Sequence, residues 1–194
     1  MITFKQVDKS YFELYDKVTQ NVEIKSELRV QLIDGGLGGF VFEEVPVTPC
    51  IKNLAKYEPA MEFEKQFDIS SWKFFMAFDG DLPVGAASLA GTTPGLYMAG
   101  NRDDVCVLWD IRIADAYKHQ GIGQKLFDFC REAGKRDGYY QMIIECQNNN
   151  IPAIHFYRKQ GAVLGKVDRY AYYTEPACRK EVQLIWYYYL LDIL

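Results

Sequence analysis

The stretch Tyr117–Leu126 reads YKHQGIGQKL and joins an apolar run to a helical pattern. Its two glycines, Gly121 and Gly123, lack a Cβ, so the backbone there can approach a ligand closely. The first amides of a helix have no intrahelical partners, and the helix dipole is positive at that end. The stretch therefore fits a phosphate-binding loop. It also fits a tight strand-to-helix turn without a ligand, because a short Gly-x-Gly is weak evidence by itself.

A second fragment narrows these alternatives. The chain has no GxxxxGK[ST], and Leu126 stands where the third glycine of GxGxxG belongs, so two familiar phosphate motifs are excluded. One strand after the first helix, Asn150–Gly161 reads NIPAIHFYRKQG. Asn150 can cap a helix or bond a ligand. Ala153 and Tyr157 are four residues apart and share a helix face. Taken alone, Tyr157 fits a core tyrosine with a bonded hydroxyl.

Together the two fragments resemble the GNAT superfamily of N-acetyltransferases. Members carry [RQ]-x-x-G-x-[GA] after a central strand and N-x-x-A-x-x-[LF]-Y-x-x-x-G-F one strand later. Here Lys118 stands in place of Arg or Gln, and Ala162 stands in place of Phe. The hairpin Phe75–Gly85 looks like the family's second and third strands, and the resemblance covers about Trp72–Asp168. The tail, with LGKVD and IWYYYL, is similar to that of streptothricin acetyltransferases.

The pattern of elements agrees with this family. Strands and helices alternate in the second half of the chain, which predicts a mixed sheet with at least one parallel pair. The resemblance implies an α/β (α+β mixed) fold with a central, mostly antiparallel sheet of about seven strands flanked by helices. Its parallel pair would splay at the cofactor site, in a single domain over residues 1–194 with its clearest part at 72–168. Residues 20–70 are harder to interpret, and Val22–Ile33 fits a helix or a strand. Periodicity and turn residues elsewhere predict strands at Ile2–Val7, Phe40–Val47, Trp72–Phe78, Val84–Leu89, Val105–Ile113, Tyr140–Cys146 and Val182–Leu190, and helices near Tyr11–Thr19, Met61–Phe67, Gly121–Arg136 and Pro152–Gln160.

The resemblance implies acetyl coenzyme A as the cofactor. Its pyrophosphate would lie on the backbone amides of about Gln120–Gln124. Its pantetheine arm would pair with the main chain along β-strand residues Ile111–Ile113, where an amide would polarise the thioester carbonyl. The implied cofactor-binding residues are Ile111, Arg112, Ile113, Lys118, His119, Gln120, Gly121, Ile122, Gly123, Gln124, Asn150, Ala153 and Tyr157.

Three residues are candidates for proton transfer. A primary ammonium must lose a proton before it attacks, and a nearby carboxylate would accept that proton. Glu145 ends an apolar strand and occupies the offset of a catalytic Glu in some family members, or it is a strand-end carboxylate that is solvated or paired. Asp110 is either a base or substrate anchor, or simply the ion-pair partner of Arg112 on the same strand face. The resemblance makes Tyr157 the general acid. Cys146 leaves an acyl-cysteine route open.

Composition limits the partners. The net charge of -4 and pI of 5.3 argue against nucleic acid and fit a cationic substrate. Together with this charge, the resemblance to streptothricin acetyltransferases implies a small cationic amine, such as a streptothricin-like antibiotic or a polyamine, and a role in antibiotic resistance. The alternatives are a protein N-terminus or lysine, and a non-catalytic acetyl coenzyme A sensor. Five cysteines without a CxxC pair, and no signal peptide, predict a reducing cytoplasm. We expect no metal and no membrane span, and the closing aromatic strand could serve a homodimer interface.

Overall fold

The computed structural model describes residues 1–191, so the last three residues of the predicted domain lie outside the described part. Within residues 1–191 the chain forms nine strands and four α-helices. The strands are β1 Ile2–Val7, β2 Asn21–Ile33, β3 Gly39–Asn53, β4 Lys73–Asp79, β5 Leu82–Ala90, β6 Val105–Ile113, β7 Gln141–Gln147, β8 Val163–Asp168 and β9 Gln183–Tyr189. The helices are α1 Phe12–Tyr15, α2 Phe63–Gln66, α3 Ile122–Arg136 and α4 Ile151–Gln160.

The strands confirm the predicted mixed, mostly antiparallel sheet. Seven of them form one sheet in the order β1-β4-β5-β6-β7-β9-β8, and β2 and β3 form a separate two-stranded sheet. β1, β4, β5 and β6 are successively antiparallel, as are β8 and β9, whereas β6 and β7 are parallel. The parallel ladder ends where Leu108 faces Ile144, although β6 itself continues to Ile113. Beyond Leu108, the described strand pairing of β6 is with β5, from Asp110 opposite Ser88 to Ile113 opposite Gly85.

The described chain divides into two compact units. The first unit comprises Met1–Asn21, Asn53–Ile144 and the residues from Tyr188 onward; the second comprises Val22–Lys52 and Glu145–Tyr187. In the first unit, α3 packs against β4, β5 and β6. The buried residues of α3 recur at helical spacing and are Ile122, Leu126, Phe127, Cys130, Ala133 and Gly134.

The second unit resolves the ambiguous segment of the sequence. Val22–Ile33 is a strand within β2, and β3 extends well beyond the predicted Phe40–Val47. Asn148 anchors this two-stranded ribbon through two hydrogen bonds to Leu28. The Leu28 amide donates to the Asn148 carbonyl, and the Asn148 side-chain nitrogen donates to the Leu28 carbonyl, both at 2.9 Å. Its side-chain oxygen accepts the Val182 amide at 2.8 Å. These distant bonds, rather than local propensity, select the strand.

One other predicted element needs correction, and one strand was not predicted. The helix near Tyr11–Thr19 is confined to Phe12–Tyr15, and the Asp16 carboxylate that follows it accepts the amides of Ala60 and Met61 at 2.7 and 3.1 Å. The strand β8 was not predicted, because its six residues, VLGKVD, lack a regular apolar alternation and contain Gly165. No helix among residues 1–191 combines the length and the apolar character needed to cross a membrane.

Candidate active site

The glycine loop leads directly into the longest helix of the first unit. α3 begins at Ile122. The preceding residue, Gly121, has φ +81°, a left-handed conformation that is unfavourable for residues with a Cβ. A Cβ at Gly121 would meet no heavy atom within 4 Å, so the space beside this backbone is open. His119 also has a positive φ of +62°. Exposed first-turn amides at a helix N-terminus suit phosphate oxygens, so the loop fits the pyrophosphate of acetyl coenzyme A.

The Lys118 and Gln120 side chains of this loop form hydrogen bonds or ion pairs within the protein. The Lys118 ammonium bonds the Asp115 carboxylate at 2.6 Å and the Asn21 carbonyl at 2.5 Å. The Gln120 side-chain amide donates to the Ala116 carbonyl at 3.0 Å. Because the Lys118 and Gln120 side chains are bonded within the protein, the main-chain amides are the clearest anion-binding groups of the loop.

A bulge shapes the end of β6. Ser88 of β5 faces Asp110 while Leu89 faces Leu108, so Trp109 is the extra residue. A bulge turns a strand and redirects its side chains, and such features are common beside active sites. The predicted pantetheine contacts Ile111, Arg112 and Ile113 follow it. The Ile111 carbonyl accepts the Gln20 side-chain amide at 3.3 Å in this structure.

Asp110 and Arg112 form a buried ion pair in the first unit. Arg112 Nε donates to Asp110 Oδ2 at 2.7 Å, and the two side chains are only 1% and 4% exposed. Tyr15 also donates to Oδ2 at 2.8 Å, and Gln20 donates to Oδ1 at 2.9 Å. Burial lowers the pKa of Arg112, but Asp110, Tyr15 and Asp16 together raise it above its ordinary value. Asp110 therefore forms the ion pair with Arg112 that the sequence offered as the alternative to a role as base or anchor.

Glu145, in the second unit, has a different environment. Its Oε1 accepts the Tyr172 hydroxyl and, at 3.4 Å, the Gln147 side-chain amide. Burial raises the pKa of the carboxyl group from 4.5 to about 7, although the Tyr172 bond and the Lys52 charge oppose this. The side chain is nevertheless partly solvent-accessible in the folded chain. A carboxyl group that titrates near neutral pH is suited to accept a proton from an ammonium.

The α4 residues also lie in the second unit. Asn150 caps α4, because its side-chain oxygen accepts the Ala153 amide at 3.3 Å. Tyr157 is 6% exposed and its ring contacts Phe156. Cys146 is buried, accepts a bond from Trp186 Nε1 at 3.3 Å, and burial raises its thiol pKa. A buried thiol with a raised pKa is a poor nucleophile, which disfavours the acyl-cysteine route.

Sequence reasoning missed the residues that hold the two carboxylates. Tyr15 and Gln20 precede Asp110 by 95 and 90 residues, and Tyr172 follows Glu145 by 27. Such separations leave no periodic signal. The tyrosine-rich segment Tyr170–Tyr173 is visible in the sequence, but it does not indicate which ring bonds Glu145.

Comparisons with known proteins identify the family. Residues 46–162 match the acetyltransferase (GNAT) family. Streptothricin acetyltransferase A from Bacillus subtilis (strain 168) is 32% identical over 121 residues, which cover 57% of this chain and 69% of that protein. The chain belongs to the GNAT acetyltransferase family, as the two motifs predicted, and is an acetyl coenzyme A-dependent N-acetyltransferase.

Solved structures support the fold. The crystal structure of nourseothricin acetyltransferase aligns with a TM-score of 0.76 at 22% identity, covering 98% of this chain and 99% of that one. A Bacillus anthracis protein described as a streptothricin acetyltransferase, in complex with acetyl coenzyme A, aligns with a TM-score of 0.75 at 19% identity. That alignment covers 99% of this chain and 98% of the other. At these identities the likeness concerns the fold.

Proposed function

We propose that this enzyme acetylates a primary amine of a small cationic acceptor of the streptothricin class. The observation that carries this proposal is the 32% identity to streptothricin acetyltransferase A, which covers 69% of that protein. The net charge of -4 also favours a cationic acceptor over an anionic one. Exposed aromatic rings at Tyr97, Tyr170 and Tyr173 offer faces to which ammonium groups can bind.

The loop before α3 holds the cofactor in this proposal. The amides from Gln120 to Gln124 bind the pyrophosphate, and the main chain of Ile111–Ile113 holds the pantetheine arm. When bound, acetyl coenzyme A supplies an acetyl group activated as a thioester. A backbone amide near Ile111 or Ile113 stabilises negative charge on the carbonyl oxygen of that group.

Glu145 and Tyr157 move the protons in this proposal. Glu145 takes a proton from the acceptor ammonium, directly or through water, because its pKa of about 7 lets it act near neutral pH. Tyr157 Oη donates a proton to the departing sulfur. Asp110 remains a candidate for anchoring the cationic acceptor, although its buried bonds to Arg112 and Tyr15 support a positioning role.

Cofactor binding is tested with paired glycine variants. Gly121→Ala and Gly138→Ala change residues at the two ends of α3, with φ of +81° and +84° and no atom within 4 Å of the added Cβ. Both should lose about 1–2 kcal/mol of unfolding free energy from left-handed strain. Only Gly121→Ala should weaken acetyl coenzyme A binding in calorimetry, by roughly tenfold or more. Equal affinities in the two variants would contradict the loop assignment.

The acceptor is tested by a panel of amines. Streptothricin, a linear polyamine and peptides with a free N-terminus or lysine are each incubated with acetyl coenzyme A. Thiol release gives the rate, and mass spectrometry gives the acetylated nitrogen. The proposal expects the antibiotic to have the highest kcat/KM. Preferential acetylation of the peptides would support the protein acetyltransferase alternative, and binding without turnover would support a sensor.

A further inference from the structure

Three polar side chains of the second unit meet around one oxygen atom. The Tyr172 hydroxyl and the Gln147 side-chain amide both donate to Glu145 Oε1. The same Gln147 nitrogen lies 3.5 Å from the Tyr172 oxygen. The carboxyl group is therefore fixed by a residue on its own strand and by one from the connection between β8 and β9, residues 169–182. We call these three residues the Glu145 cluster.

Tyr172 is the inward-facing member of a tyrosine-rich run. Its neighbours Tyr170 and Tyr173 are each 71% exposed, whereas Tyr172 is partly buried. The turn that sets this direction begins at Asp168, whose side chain accepts the Tyr170 amide at 2.9 Å. The segment also contains Glu181, which forms an ion pair with Lys52 at 2.5 Å, with side chains 13% and 16% exposed. The inward position of Tyr172 is thus built into a segment that is bonded at both ends.

The charges around the cluster act in both directions on Glu145. Burial favours the neutral carboxyl group, and the negative Glu181 adds to this effect. The Tyr172 hydroxyl and the positive Lys52 favour the carboxylate. The Cys146 thiol next in the chain stays protonated, because burial raises its pKa. A phenol that donates to a carboxylate stabilises the charged form, since a hydrogen bond to a charged group is stronger than one to a neutral group.

We propose that Tyr172 is a positioning residue for the base of the reaction, fixing the Glu145 carboxyl group and stabilising its charged form near neutral pH. This inference rests on the proposed role of Glu145. Tyr172 acts through Glu145 and has no chemical step of its own. Burial already raises the pKa of Glu145, and without the phenol less would oppose it, so a larger share of Glu145 would be protonated and unable to accept a proton at neutral pH.

The direct test is a titration of Glu145 in the protein alone. Glutamate labelled with ¹³C at the side-chain carboxyl group is observed by NMR, and Glu145→Gln assigns the signal. We expect wild type and Tyr173→Phe, an exposed control, to titrate together, and Tyr172→Phe to titrate about one pH unit higher. An unchanged midpoint in Tyr172→Phe would overturn the proposal. Thermal unfolding of each variant shows whether it has folded.

Kinetics separates this inference from the proposed function. In the pH profile of kcat/KM, the acidic limb of Tyr172→Phe should shift to higher pH by as much as the NMR titration midpoint of Glu145 does in that variant. In a Glu145→Gln background, Tyr172→Phe should change the rate no further. A shifted titration with an unshifted acidic limb would refute Glu145 as the base. Failure of wild type to acetylate any amine would refute the proposed function, while the titration still decides the link between Tyr172 and Glu145.

Discussion

Replacing Asp110 by Asn should destabilise the first unit strongly. The change keeps the shape of the side chain but removes the negative charge 2.7 Å from the Arg112 guanidinium, which is 1% exposed. Arg112 would keep weaker partners: Asp16 at 3.6 Å, on a side chain 22% exposed, the Glu58 carbonyl at 3.2 Å, and the Tyr15 ring, whose centroid lies 4.9 Å from Cζ. A buried cation without a close counter-charge is costly, because the protein interior solvates it poorly.

The size of the effect follows from this geometry. Removing one partner of a buried pair costs about 3–5 kcal/mol. The remaining attraction of Asp16 places Asp110→Asn near the lower end, at about 3 kcal/mol. For a chain of this size each kcal/mol lowers the unfolding temperature by about 2–4 °C, which gives a decrease of roughly 6–12 °C. Adding Arg112→Met to Asp110→Asn should recover part of this loss, because it removes the uncompensated charge.

Differential scanning calorimetry at neutral pH measures these changes. Asp104→Asn is the matched control, because Arg102 and Asp104 are also two residues apart and bonded at 2.7 Å, but their side chains are 42% and 48% exposed. That variant should unfold close to wild type, since exposed pairs contribute little. Equal effects of Asp110→Asn and Asp104→Asn would refute the structural role of Asp110. Loss of turnover without loss of stability would instead support Asp110 as a base or anchor.

Three further changes test the site. The folded chain holds the Glu145 proton up to about pH 7 and the unfolded chain only to about 4.5, so the contribution of this group to wild-type stability is lost as pH rises between these values. In urea unfolding, the free energy of unfolding of Glu145→Gln should rise by up to about 3 kcal/mol relative to that of wild type between pH 4.5 and 8. A difference between the two free energies that does not change with pH would contradict the raised pKa. Tyr157→Phe should lower kcat roughly 100-fold with little change in acetyl coenzyme A affinity, and full retention of turnover would remove it as the acid. Lys118→Ala should change that affinity less than about threefold, because Asp115 already holds the ammonium; a larger loss, measured by calorimetry, would indicate a phosphate contact.

Local patterns predicted the central elements well. Val105–Ile113 is a strand with the predicted bounds, and the helix predicted from Gly121 begins one residue later. These elements have apolar spacing and glycine boundaries that depend only on near neighbours. The first strand of the ribbon could not be assigned, because Val22–Ile33 fits both a helix and a strand, and Leu28 bonds the distant Asn148.

The two carboxylates show where sequence reasoning about the site reaches its limit. Asp110 and Glu145 both interrupt apolar strands, and both were candidates for the base. The alternation of β6 predicted the pairing of Asp110 with Arg112, because residues two apart share a face. Nothing local predicted that Tyr172 bonds Glu145, since its segment has no regular period.

Their bonding distinguishes their chemical capacities. Asp110 accepts donors on both oxygens, and one of them is a permanent cation, so protonation would cost the buried Arg112 its counter-charge. The two described donors to Glu145 are neutral and both reach Oε1. Glu145 can therefore gain and release a proton without leaving a bonded cation unpaired. A base must alternate between its two charge states in every turnover. This bonding therefore favours Glu145 over Asp110 for proton transfer, and it favours a structural role for Asp110.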